Sequence, residues 1–238
     1  MATAMIILAG GSGSRVDSEV NKVYLPLGDR PILQYPLATF DSAAVVDETI
    51  LVVKEGDRSR ALELVDRLHL QKLTAVVRGG GTRQESELAG LEHIAQRVEA
   101  GTIDLIAIHD GARPFASLRL LNEIVATARR YGGAIPALPA EERMYLAAEG
   151  LARPLPAVGM VRVQTPQAFR AQPLLWAYRE AAREGFHGVD TAETIERFSD
   201  LVVKTVPGDP RNIKITFVED FFMAEDLVGS WAQGNWTR

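Results

Sequence analysis

The 238-residue sequence contains no cysteine. Disulfides, thiolate zinc sites, iron–sulfur clusters and a cysteine nucleophile are therefore excluded, and the absence is compatible with the cytoplasm. Basic surplus is also missing: 26 Lys and Arg stand against 31 Asp and Glu, a formal net charge of −5. A general nucleic-acid binder carries the opposite balance, so no nucleic-acid partner is expected. A local basic pocket for a small anion is still allowed. No apolar run approaches the roughly 18 residues of a membrane helix, and no membrane partner is expected. The segment Met1–Leu8 has no positive n-region and too short an apolar run for a signal peptide. What is present is ordinary for a globular chain, with 47% hydrophobic and 24% charged residues. The expectation is one cytoplasmic domain spanning 1–238.

Short apolar runs alternate with helical spacing. Ala4–Leu8, Glu48–Val53, Leu73–Val77, Ile103–Ile108 and Ala134–Leu138 read as strands buried on both faces. Between them, Leu88, Leu91, Ala95 and Val98 follow at steps of three and four, as do Leu118, Leu121, Val125 and Ala128. The second of these helices has Ser117 as N-cap, Arg129 and Arg130 in its last turn, and Gly132-Gly133 as its stop. Pro31 is placed to open a helix, and Pro36 to kink or shorten it. Further on, Pro173–Arg183 reads as a helix. Asp190–Phe198 opens with a capping-box pair, Asp190 and Glu193. Leu201–Val206 and Asn212–Phe217 read as strands, and Glu219–Trp231 as a final helix. The fold class predicted is α/β, a doubly wound, mostly parallel sheet. Residues 139–163 break the rhythm and read as a protruding arm, with Glu149-Gly150 near its turn.

The first strand runs into Leu8-Ala9-Gly10-Gly11-Ser12-Gly13-Ser14-Arg15. Such a turn brings backbone N–H groups close to anionic oxygens at a helix start. It is not a dinucleotide fingerprint, because Val16 stands where the third glycine would fall, and no Walker-type Gly-Lys-Ser/Thr follows. Alone, it is equally an ordinary tight turn. Lys22 follows seven residues after Arg15, before Leu25-Pro26-Leu27 and Pro31-Ile32-Leu33. This stretch resembles the N-terminal signature of pyrimidine-specific sugar-phosphate nucleotidyltransferases.

Four later segments narrow the resemblance. They are Gly79-Gly80-Gly81-Thr82-Arg83-Gln84-Glu85-Ser86, His109-Asp110-Gly111-Ala112-Arg113-Pro114-Phe115, Gln164-Thr165-Pro166-Gln167-Ala168-Phe169 and Asn212-Ile213-Lys214-Ile215-Thr216. In order and spacing they resemble the family of 2-C-methyl-D-erythritol 4-phosphate and ribitol-5-phosphate cytidylyltransferases, over nearly the whole chain. The resemblance implies a Rossmann-like nucleotidyltransferase fold and a homodimer formed through the arm. The implied reaction joins CTP to a phosphorylated polyol and releases pyrophosphate.

Site roles follow from that resemblance. Arg15, Lys22 and Lys214 are the expected catalytic cations. Leu8, Ala9, Gly10, Gly11, Ser12, Gly13, Ser14, Gly80, Gly81, Arg83, Ser86, Asp110, Gly111 and Ala112 are expected around the nucleotide. Asp110, Arg113, Arg143 and Thr165 are expected at the acceptor, and Asp110 at Mg²⁺. Each has a plainer reading as well: Asp110 caps a turn, Arg113 makes a surface ion pair, Lys214 is a solvated residue opposite Ile213 and Ile215. His69, His93, His109 and His187 show no ligand spacing, so no zinc site is expected. Trp176, Trp231 and Trp236 read as core or tail residues.

The arm departs from the family pattern. A D-T-x-K-like motif is replaced by Glu142-Arg143-Met144-Tyr145, and Ala157, Val158 and Gly159 stand near an expected arginine, with Arg153 and Arg162 out of register. Methylerythritol phosphate is the first expectation for the acceptor. Ribitol 5-phosphate, another polyol phosphate or a phosphonate is the alternative, with Arg143 as a replacement cation. A non-catalytic nucleotide-binding protein and a nicotinamide-dependent oxidoreductase are the readings from other classes. The set of Arg15, Lys22 and Lys214 argues against the first of these, and Val16 against the second.

Overall fold

A computed structural model describes residues 2–11, 21–140, 145–148, 151–155 and 159–232. In chain order the elements are β1 (Ala2–Leu8), the short pair β2 (Pro26–Leu27) and β3 (Arg30–Pro31), α1 (Gln34–Asp41), β4 (Glu48–Val53), α2 (Arg58–Leu68) and β5 (Leu73–Arg78). Next come α3 (Arg83–His93), α4 (Ala95–Glu99), β6 (Ile103–Asp110), α5 (Leu118–Tyr131) and β7 (Gly132–Pro139). The arm carries β8 (Tyr145–Ala148) and β9 (Leu151–Pro154). The chain finishes with β10 (Val161–Val163), β11 (Gln167–Arg170), α6 (Ala171–Arg183), α7 (Thr191–Phe198), β12 (Val202–Pro207) and α8 (Val218–Ala232).

The main sheet runs β10-β7-β11-β6-β1-β4-β5, with β12 also paired to β7. Strands β6, β1, β4 and β5 are parallel neighbours. β11 is inserted antiparallel between β6 and β7, while β12 runs parallel to β7. Period-two alternation splits each central strand between two cores. Met5, Ile7, Leu51, Val53, Leu105 and Ala107 pack with α1, α2 and α5. Ala4, Ile6, Ile50, Val52, Ile106 and Ile108 pack with α3, α4, α6 and α7. Each Val, Leu, Ile or Met among them, fully withdrawn from water, contributes about 1.5–3 kcal/mol, and burial on both faces makes the strands read as continuous apolar runs. The doubly wound, mostly parallel sheet expected from the alternation is the one found.

Helix ends largely follow their capping residues. Ser117 accepts from the Leu120 N–H at 3.2 Å and opens α5. Asp190 accepts from the Glu193 N–H at 2.9 Å and opens α7, but the Glu193 carboxylate takes the Val189 N–H at 2.6 Å rather than that of Asp190. The capping box there is therefore shifted by one residue. The helical run through Leu88 and Val98 breaks at Ile94 into α3 and α4.

Four expectations fail. Pro31 lies in β3, not in a helix. Pro36 is the third residue of α1, in its first turn rather than its interior, where the N–H it lacks has no intrahelical partner anyway. Asn212–Phe217 is not a strand. It is an extended segment docked by its own side chains and by the Ile215 N–H on the Ala112 carbonyl at 2.9 Å. Trp176 is 56% exposed and not a core residue. The arm strands β8 and β9 pair antiparallel with Ala148 opposite Leu151. Glu141, Glu142, Arg143, Met144, Glu149, Gly150, Pro156, Ala157 and Val158 lie outside the described residues, as do Trp236 and 12–20.

Candidate active site

The carboxyl ends of β1, β4 and β6 open into a cavity of about 380 Å³. This is the edge where parallel α/β sheets bind ligands. Leu8, Gly10, Gly11, Lys22, Gly81, Arg83, Ser86, Asp110, Ala112 and Lys214 line it, all of them expected from the sequence. They come from five separate stretches of chain. Arg15, Ser12, Gly13 and Ser14 lie outside the described residues, and so does Arg143.

Asp110 ends β6 and is the focus of the cavity wall. Its Oδ1 accepts from Arg83 Nη1, and its Oδ2 lies 2.9 Å from Lys214 Nζ and 3.6 Å from Arg113 Nε. Burial alone would push this carboxyl up. The three cations outweigh burial and hold it far below the usual carboxylate range. Lys214 reaches Asp110 because its neighbour Ile215 is buried in a small third core with Leu27, Ile32, Tyr35 and Phe115. Asn212 anchors the same segment by donating its side-chain amide to the Thr165 carbonyl at 2.8 Å.

A directed chain of hydrogen bonds stands behind Asp110. Its N–H donates to Thr165 Oγ1 at 3.0 Å, and that hydroxyl lies 3.1 Å from His109 Nδ1. His109 Nε2 lies 3.0 Å from the Arg113 carbonyl, which only accepts. Nε2 therefore carries the proton, Nδ1 accepts, and Thr165 donates. Burial holds His109 down at about 4, so the ring is neutral at physiological pH. Thr165 and His109 thus brace Asp110 from behind and are not part of the cavity wall. Arg113 is likewise not in the wall and donates to the Asn212 carbonyl at 2.8 Å.

The glycine positions divide by what they face. Gly11 has open space where a Cβ would stand, at the cavity. Gly80 and Gly111 are close-approach positions. A Cβ on Gly80 would meet the Glu85 Cβ at 2.3 Å, and one on Gly111 would meet the Leu8 carbonyl oxygen at 2.9 Å. Neither lines the cavity. Ala9 is buried, with its N–H on the Val52 carbonyl at 2.7 Å. Lys22 begins a short 3₁₀ turn fixed by Asn21, whose side-chain amide donates to the Ala9 carbonyl and to Asp57, each at 2.8 Å.

The profile of the 2-C-methyl-D-erythritol 4-phosphate cytidylyltransferases matches residues 3–230. The chain belongs to this family. Curated relatives of that name include one from Geobacillus kaustophilus, 37% identical over 94% of this chain and 96% of its own. Another, from Geobacter metallireducens, is 38% identical over 96% of this chain and 98% of its own. Among solved structures, the 4-diphosphocytidyl-2C-methyl-D-erythritol synthase of Anaerococcus prevotii aligns with a TM-score of 0.83 at 28% identity, covering 96% of both chains. The 2-C-methyl-D-erythritol 4-phosphate cytidylyltransferase of Thermus thermophilus aligns with a TM-score of 0.72 at 28% identity, covering 94% of this chain and 98% of the other.

In this member of the cytidylyltransferase family the sequence reading overlooked Asn21, Val23, Lys54, Thr82 and Thr216, all of which line the cavity. Lys54 had a usable signal, since it directly follows β4 at the carboxyl edge. The reading also missed Glu87, fully buried one turn beyond Arg83. Among the described residues no three His, Asp or Glu gather into a metal cage. Magnesium nevertheless fits the donor set, because it commonly takes one carboxylate with the remaining places filled by substrate phosphates and water. Asp110 is the carboxylate on the cavity wall. Among the described residues no helix is long and apolar enough to cross a membrane.

Proposed function

We propose that the protein transfers the cytidylyl group of CTP to 2-C-methyl-D-erythritol 4-phosphate, giving the CDP-linked polyol and pyrophosphate. The observation that carries this reading is Lys214 Nζ held 2.9 Å from Asp110 on a cavity wall shared with Gly11, Lys22 and Arg83. An acceptor phosphate oxygen attacks the α-phosphorus, and the bond to the β-phosphate oxygen breaks with its electron pair on pyrophosphate. A phosphate is already ionised at neutral pH, so no general base is needed. The work left to the chain is positioning and charge stabilisation.

Lys22 and Arg15 hold the triphosphate, and the N–H groups of the glycine turn add directional donors. Lys214 meets the charge that grows on the α-phosphate oxygens. Asp110 keeps Lys214 in place, and with Arg83 and Arg113 sharing its carboxylate it does not neutralise that lysine fully. Asp110 would also hold Mg²⁺, which when bound neutralises phosphate charge. The neutral His109 serves as a brace and transfers no proton. A homodimer formed through the arm and a cytoplasmic location belong to the same reading. The outward-facing Tyr145 and Leu146 of β8, 51% and 60% exposed, support the dimer.

The test is pyrophosphate release from CTP and Mg²⁺ with methylerythritol phosphate, ribitol 5-phosphate, glycerol phosphate and small phosphonates. Turnover with methylerythritol phosphate is expected, and its loss in Lys22→Ala with the fold intact. Turnover only with another acceptor would move the reading to a different polyol phosphate or phosphonate. Near-normal turnover by Lys22→Ala would overturn the mechanism.

A further inference from the structure

Arg83 is held from two sides. On the cavity side its Nη1 meets Asp110 Oδ1. On the other side its Nε donates to Glu87 Oε1 at 3.1 Å. Glu87 does not line the cavity and its side chain is 2% exposed. It also accepts from the Tyr178 hydroxyl of α6 at 2.7 Å and the Thr191 hydroxyl of α7 at 2.8 Å. Three donors from three helices thus converge on one buried carboxylate. A buried charge is tolerated only with partners of this kind, and three hydrogen bonds fix its orientation.

We propose that Glu87 is a positioning residue for the transfer reaction: through Arg83 it sets how much of the Asp110 carboxylate is left for Lys214. This rests on the cytidylyl-transfer reading. With Arg83 clamped, Asp110 gives Oδ1 to Arg83 and only Oδ2 to Lys214 and Arg113. With Arg83 released, both oxygens are free to draw on Lys214. The ammonium is then pulled from the reacting phosphate, and the loss falls on kcat, while binding of CTP at Lys22 and the glycine turn is untouched.

Glu87→Gln weakens the clamp without changing shape. With its amide oxygen at the Oε1 position it keeps only a neutral acceptor for Arg83 Nε–H and Thr191, and its NH₂ group donates to the Tyr178 oxygen, so the charge that holds the guanidinium is lost. The experiment measures kcat and KM for CTP in Glu87→Gln, alone and with Arg83→Lys, whose ammonium cannot fork between two carboxylates. Glu87→Gln alone is expected to lower kcat by up to about 10²-fold, with KM for CTP near the unsubstituted value. In the Arg83→Lys background the same change is expected to cost little more, because the residue acts through Arg83. A purely structural Glu87 would cost the same factor in both backgrounds, and that result, or an unchanged kcat, overturns the proposal. If Glu87→Gln does not fold, Tyr178→Phe takes its place in the same cycle, with a smaller fall in kcat expected. Absence of any pyrophosphate release by the unsubstituted protein would instead overturn the transfer reading. The clamp is then judged on the Arg83 Nε–H proton by NMR. Faster exchange with water in Glu87→Gln supports it, and unchanged exchange refutes it.

Discussion

Arg83 and Arg179 each span two carboxylates, one at the cavity and one on the surface. Arg179 holds Glu92 at 2.6 and 2.8 Å and Glu99 at 2.6 Å. Arg83 holds Glu87 at 3.1 Å by a single bond, and Asp110 by another. By hydrogen-bond count the surface clamp is the better made. Surroundings reverse the ranking. The side chains of Glu92 and Glu99 are 43% and 53% exposed, whereas those of Glu87 and Asp110 are 2% and 8% exposed. Water replaces a lost partner at the surface and cannot do so inside. The two acids around Arg83 also show that burial does not act alone. Glu87, with one cation and two hydroxyls, is pushed up by burial. Asp110, with three cations, is held down against it. Burial outweighs the single Arg83 at Glu87, where the Asp110 charge also pushes up, whereas three cations outweigh burial at Asp110.

The largest effect expected from this contrast is on Arg83→Met. It leaves two buried carboxylates short of a partner and should cost about 3–5 kcal/mol in urea denaturation, together with most turnover. A cost no larger than that of Arg179→Ala would break the comparison. Lys214→Met sharpens it from the other side. Lys214 shares Asp110 but is 40% exposed, so its loss should lower kcat about 10²–10³-fold while stability changes little. A large stability loss there would mean that Asp110 depends on Lys214 more than on the buried arginines.

Acid titration separates the brace from the clamp. His109 has a folded value of about 4 against 6.5 when free. Its folded pKa is lowered, so the stability it lends is complete above about pH 6.5 and is lost as pH falls through about 4. Asp110 is lowered from 3.8, so its contribution begins to be lost only below about that pH. Stability curves measured against pH should therefore lose in His109→Gln the rise that His109 gives between about pH 4 and 6.5, leaving the opposite slope of Glu87, whose raised pKa favours the fold at the acid end of that window, with the loss below about pH 4 retained. An unchanged slope in His109→Gln would mean the ring is not held neutral by burial.

The strands of the sheet were open to sequence reading because both their faces are buried and their apolar runs are uninterrupted. The cavity wall was open chiefly through motif resemblance, as at Gly11, Lys22 and Lys214; Asp110 also stands at the carboxyl end of β6, where α/β sheets bind ligands. What escaped was set by tertiary contacts. Asn212–Phe217 has the alternation of a strand, yet Ile215 is drawn into a third core and the segment pairs with no strand. Glu87 sits in an ordinary helical sequence four residues after Arg83, where an exposed ion pair is the common outcome. Only the packing of α6 and α7 over α3 makes it a buried carboxylate with three donors. Thr165 and Arg113 carry a motif's chemistry on their faces, but their partners lie on other elements and turn them into supports for Asp110.

The smallest effect expected is the control for the whole contrast. Arg179→Ala removes three short hydrogen bonds between α6 and the α3–α4 segment, and should cost no more than about 1 kcal/mol. Turnover should not change, since neither acid contacts the cavity. The cost should also shrink as salt is raised toward 1 M, where the screening length falls to about 3 Å. The Arg83→Met cost should persist at the same salt, because ions do not enter the clamp. If both costs fell together with salt, solvent would be reaching Glu87, and the buried carboxylate could no longer hold Arg83 against Asp110.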